Sequence, residues 1–266
     1  MPEGAEVKII GENLAKFVGH RILTKVEVLS GRYAKAPIDG LVEAHLPAKI
    51  LGVGVKGKLI FWLFENDSFM FNTLGMTGNW SQKETKYARI KLEFDVGLPA
   101  YFLDSRNFGT LKFIRGRNNF LKKLDSLGPD MLSEDVSVGF FQERLLKYPD
   151  KTLPEVLMDQ SVICGVGNYV KAEALWRARL SPHRKIESLS SSDFVNLNDS
   201  IKEVLRLAYR SRGASIRDYK DPNGEDGDAT LDFAVYGLKK DPMGNKVIKE
   251  DTMDGRTTHW APDWQK

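Results

Sequence analysis

One cysteine, Cys164, stands among 266 residues, so no disulfide can close within the chain. Such sparing use suits a reducing compartment, and an intracellular, unexported protein is expected. Net charge is scarce as well, since 39 basic residues against 36 acidic ones leave only +3. A polybasic coat is therefore excluded, and any nucleic-acid surface has to come from local clustering. No run of about 18 apolar residues occurs, which argues against a membrane-spanning helix. The first twenty residues carry Glu3, Glu6, Lys8 and Glu12 instead of a basic stretch followed by an apolar one, so no secretory leader is expected. Internal repeats and low-complexity tracts are missing too.

What is there reads as globular: 42% hydrophobic and 28% charged, with enough length for two cores. Apolar residues at Val7, Ile10, Leu14 and Phe17 predict a first helix. The chain then turns to strands. Val26 and Val28 alternate, Leu59 to Phe64 is a dense apolar run, and Phe69 to Phe71 follows the turn formers Asn66, Asp67 and Ser68. Ile90, Leu92 and Phe94 alternate, as do Leu111 and Phe113. The expected class is α+β in two domains, beginning with a helix and a β-sandwich over residues 1–117. Residues 118–135, with Asn118-Asn119, Lys122-Lys123 and Gly128-Pro129-Asp130, read as a connector. Helical periods fill 136–212, with Ser190 to Asp193 as a natural cap before Phe194. Gly, Asp and Asn crowd residues 213–230, which predicts a mobile loop ending a helical domain of 136–230. Residues 231–266 read as a short hairpin.

The chemistry starts at the front. Once Met1 is removed, Pro2-Glu3-Gly4-Ala5-Glu6 presents a secondary amine with two carboxylates close by. A free α-amino group has an ordinary pKa of about 7.7–8.0, so a usable fraction is neutral and nucleophilic near neutral pH. After attack on a sugar C1′ such an amine becomes an iminium that has no N–H proton to lose, so it stays cationic and acts as an electron sink. Glu3 suits protonation of the opening sugar ring, and Glu6 suits holding the turn through backbone N–H groups. Taken alone, the same pentapeptide is an ordinary helix start.

Four other segments bear on the choice. Gly57-Lys58 precedes an apolar strand and by itself is an edge lysine. Met76 in Leu74-Gly75-Met76-Thr77-Gly78 is a flexible apolar tip suited to wedging into a base stack, or simply a core methionine beside a turn. Arg106 and Phe108, two apart in Asp104-Ser105-Arg106-Asn107-Phe108-Gly109, would share one side of an extended segment, the guanidinium pairing with an orphaned base while the ring stacks. The plainer alternative is a strand with one buried ring and one solvated charge. Gly165-Val166-Gly167-Asn168, after Leu157-Met158-Asp159-Gln160, lets backbone N–H groups and the Asn168 amide approach a phosphate at a helix start, though a plain helix–helix turn has the same outline.

With these segments in this order, and with Gly255-Arg256-Thr257-Thr258-His259-Trp260 near the end, the chain resembles the formamidopyrimidine-DNA glycosylase / endonuclease VIII family of base-excision repair enzymes over almost its whole length. The resemblance implies Pro2 as nucleophile, Glu3 as general acid, and Glu6 and Lys58 as further catalytic residues, with Lys58 contacting phosphate. It implies Met76, Arg106 and Phe108 as fillers of the gap left by an everted nucleotide, Asn168 as a phosphate ligand of a helix-two-turn-helix domain, and Arg256 as a finger residue gripping phosphate. The implied partner is double-stranded DNA carrying oxidised bases or abasic sites. No cofactor and no membrane are implied, and a monomer is the expectation.

Three departures matter. Relatives with a zinc finger use four cysteines there, whereas this chain has none after Cys164, and Ala261 and Trp264 stand where the last pair would lie. A tetrahedral site needs four ligands, so no metal is expected and the finger is read as zincless, held by apolar packing of Tyr236, Val247, Ile248, Trp260 and Trp264. Ala5 replaces a usual second proline, which predicts a looser helix start. The basic residue often found before Leu157 is replaced by Pro154 and Glu155, with Lys151 as a weak substitute. The Pro-Glu-Gly start and the lack of zinc point to the endonuclease VIII side, which implies oxidised pyrimidines and ring-opened or hydantoin lesions, while the Gly-Arg-Thr-Thr-His-Trp tail and residues 212–219 resemble the formamidopyrimidine branch. The first expectation is a bifunctional glycosylase with abasic-site lyase activity on oxidised bases, pyrimidines preferred. A glycosylase preferring 8-oxoguanine, a damage-binding module without catalysis, and an RNA-binding protein are the alternatives.

Overall fold

The computed structural model describes residues 1–212 and 232–266. The chain divides into two compact units, Met1–Ser126 and Leu127–Ser211 with the C-terminal residues from 232. Together they make the expected α+β protein, a sandwich in one unit and a helical domain with a hairpin in the other. Among the described residues no helix is long and apolar enough to cross a membrane.

The first unit opens with α1 (Gly4–Val18), followed by β1 (Ile22–Val28), β2 (Ala48–Lys56), β3 (Leu59–Phe64), β4 (Ser68–Thr73), β5 (Asn79–Ser81), β6 (Ala88–Phe94), β7 (Ala100–Leu103) and β8 (Thr110–Arg115). All pairings are antiparallel, in the order β5-β7-β6-β1-β2-β3-β4-β8. The β1–β2 seam is narrow, with only Ile22 opposite Lys49 and Leu23 opposite Ala48. The sheet folds over at this seam, because Trp62 on β3 and Trp80 on β5, far apart in the strand order, have ring centroids 5.8 Å apart. Trp62, Trp80, Ile90, Phe102 and Phe113 fill the core between the halves. This is the anticipated sandwich, and its apolar runs are what close it.

Helix α1 covers one part of that core. Val7, Ile10, Leu14 and Val18 are buried at helical spacing, each contributing about 2 kcal/mol by removal from water. Gly11 faces the sheet so closely that a Cβ there would lie 2.2 Å from Val55 Cγ2, so the helix backbone itself rests on β2. The helix start is not loosened by Ala5. Ala5 is fully buried, and the Glu6 carboxylate accepts the Glu3 backbone N–H at 2.8 Å as part of a capping box. Packing and capping supply the order that a proline ring was expected to give.

The stretch 118–135 is not a plain connector. Its first part is α2 (Arg117–Asp125), laid against the sheet by Phe120, whose ring stacks on Phe69 at 4.4 Å and meets Phe61 at 5.3 Å. The second unit contains α3 (Val138–Leu145), α4 (Leu153–Met158), α5 (Asn168–Arg177) and α6 (Ser191–Arg210), then the hairpin of β9 (Ile248–Asp251) and β10 (Thr257–Trp260). Ser190 caps α6, its hydroxyl accepting the Asp193 N–H at 3.2 Å while Asp193 accepts the Ser190 N–H at 2.9 Å. Residues 233–236 are not a hairpin strand but an irregular segment bonded to α5. The loop expected over 213–230 lies outside the described residues.

Candidate active site and nucleic-acid interface

Pro2 is half-buried just ahead of α1, and Glu3, the residue preceding the helix, is 1% exposed. Glu6, equally buried, holds the turn by accepting the Glu3 N–H, the part expected of it. Lys58 sits on the two-residue turn joining β2 to β3, where Gly57 takes φ +56 and Lys56 pairs with Leu59. It is a hairpin-tip lysine, half-buried, on the same β2–β3 pair on which α1 packs through Gly11. A nucleophile candidate on a rigid helix start and a cation candidate on a short turn are thus carried by one packed substructure.

Met76, Arg106 and Phe108 come together on two turns. The turn 74–78 closes on itself through Gly78 N–H to Leu74 O at 2.7 Å. It lies flush on the turn 104–109, since a Cβ on Gly75, at φ +59, would meet Gly109 N and Phe108 C at 2.7 Å. Asp104 fastens the pair. Its buried carboxylate accepts the Thr77 hydroxyl at 2.5 Å, the Arg106 N–H at 3.2 Å and the Gly109 N–H at 2.7 Å. Arg89 braces the same turn from β6, donating to Asp104 O at 2.6 Å. The result displays Met76 at 37% and Phe108 at 53% exposure, with the Arg106 guanidinium 5.1 Å from the Phe108 ring centre. The Arg106–Phe108 segment is not extended, as its spacing suggested. Asn107 adopts φ +57, and the turn itself folds the guanidinium over the ring.

In the second unit Asn168 is the first residue of α5, following Gly167, with Gly165 at φ +96 making the bend. Gln160 staples that bend, accepting the Gly165 N–H at 3.1 Å and donating to Val166 O at 3.0 Å. The Asn168 amide donates to Thr257 O at 2.9 Å, which brings the helix start next to Arg256, an exposed residue on the turn between β9 and β10. Beside it, Lys171 Nζ and Asp254 Oδ2 form an ion pair at 2.8 Å with both side chains essentially out of water. Glu173 accepts three backbone N–H groups, from Ala234 at 2.8 Å, Val235 at 2.9 Å and Tyr236 at 2.8 Å. Asp241 accepts from Trp176 Nε1 at 3.0 Å, from the Asn245 backbone and side chain at 2.8 and 3.0 Å, and from the Met243 N–H at 3.0 Å. Burial pushes the Asp241 carboxyl up, but these donors outweigh it and hold the pKa below the ordinary value.

Comparison with known proteins gives the family. Family profiles match in three consecutive blocks: the formamidopyrimidine-DNA glycosylase N-terminal domain over 1–111, the H2TH domain over 127–220, and the C-terminal domain over 222–266. A formamidopyrimidine-DNA glycosylase of Heliobacterium modesticaldum is 32% identical, with all of both chains covered. The chain belongs to the formamidopyrimidine-DNA glycosylase family. The crystal structure of the MutM (Fpg) protein from Thermus thermophilus superposes with a TM-score of 0.88 at 30% identity, covering 99% of this chain and 98% of that one. A mutant Fpg of Lactococcus lactis in complex with DNA containing Fapy-dG gives 0.87 at 27% identity over the full length of both.

Against the zinc finger known in this family, the residues of this chain do not fit the metal. Its single cysteine, Cys164, is buried in the bend before α5, and positions 261 and 264 hold Ala and Trp. Among the described residues no group of three or more His, Cys, Asp and Glu side chains could hold an ion. Of the apolar residues expected to hold the finger, Val247, Tyr236 and Trp264 pack with Ala172, Val235 and Ala261, Trp264 stacking on Trp176 at 6.0 Å, whereas Trp260 meets the His183 ring at 5.2 Å and Ile248 is only half-buried. Apolar packing is only part of the finger's support. Glu173, Asp241 and the Lys171–Asp254 pair hold the same segment by charge. These groups escaped the sequence reading, as did Asp104 as a clamp. The available signal was a helix, Tyr169 to Leu175, whose charged residues sit between apolar ones on every side and so cannot all face water.

Proposed function

We propose that this protein is a bifunctional DNA glycosylase and abasic-site lyase of base-excision repair, acting on double-stranded DNA with oxidised bases or abasic sites and preferring oxidised pyrimidines. In a chain trimmed of Met1, the neutral Pro2 nitrogen attacks C1′ and the C1′–N bond to the base breaks, the N–H proton released by the amine passing to the departing base. Glu3 protonates the ring oxygen as the sugar opens, leaving an iminium between Pro2 and C1′. The cation acidifies C2′; loss of that proton expels the 3′ phosphate, and a second elimination expels the 5′ phosphate. Water then hydrolyses the iminium and returns the amine. Lys58, Asn168 and Arg256 contact phosphates, and Met76, Arg106 and Phe108 occupy the space vacated when the damaged nucleotide swings out. Eversion costs a few kcal/mol of unstacking, least for damaged bases.

The observation that best supports this reading is the Asp104 clamp, which holds a flexible apolar tip, a guanidinium and an exposed ring on two rigid turns. A solvated strand charge and a core methionine would need no such fixture. The pyrimidine preference rests on the Pro-Glu-Gly start and the missing zinc ligands. A second reading, preference for formamidopyrimidine and 8-oxoguanine lesions, is favoured by the names of the relatives and by their complexes with Fapy-dG and carbocyclic 8-oxo-G DNA. Single-turnover release from duplexes with thymine glycol or 8-oxoguanine decides between them, faster purine release overturning the first. Borohydride reduction tests the chemistry itself. A trimmed preparation on an abasic duplex is expected to yield an adduct mapping to residue 2, reduced by retained Met1 or Pro2→Gly. Binding without any cross-link at that residue would overturn the mechanism.

A further inference from the structure

The Lys171–Asp254 pair is unusual in kind. It joins a helix interior to a hairpin turn at 2.8 Å, with side-chain exposures of 0% and 3%. Burying two charges costs much of what their attraction returns, so such a pair is weak as a source of stability. Its strength is in fixing geometry, and the bonds around it show what is fixed. The second carboxylate oxygen of Asp254 accepts the Thr252 hydroxyl at 2.6 Å. The Thr252 backbone N–H donates to Arg256 O at 3.0 Å, and the Gly255 N–H closes the turn on Thr252 O at 2.9 Å. Thr252 Oγ1 also lies 2.7 Å from Thr258 Oγ1 across the hairpin. The residue after Arg256 has its carbonyl held by Asn168. A continuous path thus runs from Lys171 through Asp254 and Thr252 to the Arg256 backbone, while the Arg256 side chain stays exposed.

We propose that the Lys171–Asp254 ion pair is a positioning device for Arg256: it orders the finger turn against α5 and sets where the guanidinium points. The proposal rests on the reading of Arg256 as a phosphate-gripping residue. It also answers the misfit with zinc, because a buried ion pair fixes the turn of a finger whose residues cannot bind the metal. Asn168, Lys171 and Trp176 dock successive points of the same segment along α5, so the turn is the distal end of a seam and not an isolated contact.

Removing one partner alone strands a buried charge and can unfold the domain, so the test replaces both, Lys171→Met with Asp254→Leu. The double variant is expected to melt cooperatively near the parent temperature. Amide exchange at Thr252 and Gly255 is expected to accelerate while the rest of the finger stays protected. Single-turnover cleavage of an abasic duplex is expected to slow by on the order of tenfold to a hundredfold, the scale of a misplaced catalytic contact. Adding Arg256→Ala to the double variant is then expected to cost almost nothing more, although Arg256→Ala alone slows the parent. A merely structural role would not produce that non-additivity. Unchanged exchange at the turn, or effects of the pair and of Arg256→Ala that multiply, would overturn the proposal. If Arg256→Ala leaves parental cleavage unchanged but the turn amides respond as stated, the ordering stands, and it is the assignment of Arg256 to DNA that fails.

Discussion

The turns that carry Met76, Arg106 and Phe108 and the turn that carries Arg256 solve one problem in two ways. Both hold exposed side chains on short irregular backbone, and each is organised by a buried aspartate. Asp104 is satisfied by neutral donors, two backbone N–H groups and a hydroxyl, all from its own two turns. Asp254 reaches instead to a cation on a helix 83 residues away in sequence. The first arrangement is local and self-contained, its donors lying within 27 residues. The second makes the finger depend on the helix behind it. A small hairpin has too little apolar surface to order its own turn, so it borrows order from a larger element.

The comparison can be broken most directly at its charged end. Lys171→Met alone leaves the Asp254 carboxylate buried without its cation and is expected to cost about 3–5 kcal/mol of unfolding free energy in urea. A loss below about 1 kcal/mol would mean that water or another group takes over the charge. Asp104→Ala strands the Thr77 hydroxyl and the Gly109 N–H, the Arg106 N–H keeping its bond to Thr77 Oγ1 at 3.1 Å, and is expected to cost about 2–3 kcal/mol, with duplex binding weakened in proportion to the loss of the turn. If the variant keeps parental stability, the clamp is not what fixes the turns. The smallest effect concerns pH. Burial first, then the nearby Lys249 and Lys171 charges, hold the His259 pKa below its ordinary 6.5. The unfolded chain therefore binds a proton that the folded finger refuses, and stability falls as pH drops from about 6.5 toward the lowered value. His259→Gln is expected to flatten that part of the stability profile between about pH 7.5 and 5.5, and an unaltered slope would place the sensitivity elsewhere.

What the sequence made legible follows the physics of each segment. Leu59 to Phe64 shows as a strand because it is a short unbroken apolar run after a glycine turn, and Ala88 to Phe94 because one face is buried and the alternation survives. β2 was invisible, since Gly52 and Gly54 interrupt its pattern. Gly54 is bare because the Phe61 ring of β3 lies where its Cβ would be, at 2.4 Å. The candidate residues could be named from motifs, but not the groups that hold them. Asp104, Lys171 and Glu173 look like solvated charges until the chain is folded, because their partners are distant or lie in backbone N–H groups that every sequence contains. The reading of Arg106 and Phe108 as an extended pair failed for a related reason: nothing in Asn107 announces a left-handed residue.

Gly11 gives the helix a pivot. From there to the start of α1 at Gly4 is about 10 Å of rigid rod at 1.5 Å per residue, so a tilt of roughly 6° swings the leading end by about 1 Å, an error that can cost a reaction on the order of a hundredfold. On the proposed reading of Pro2 as the nucleophile, one missing methyl group at Gly11, facing Val55, therefore sets the aim of the amine at the tip of the lever.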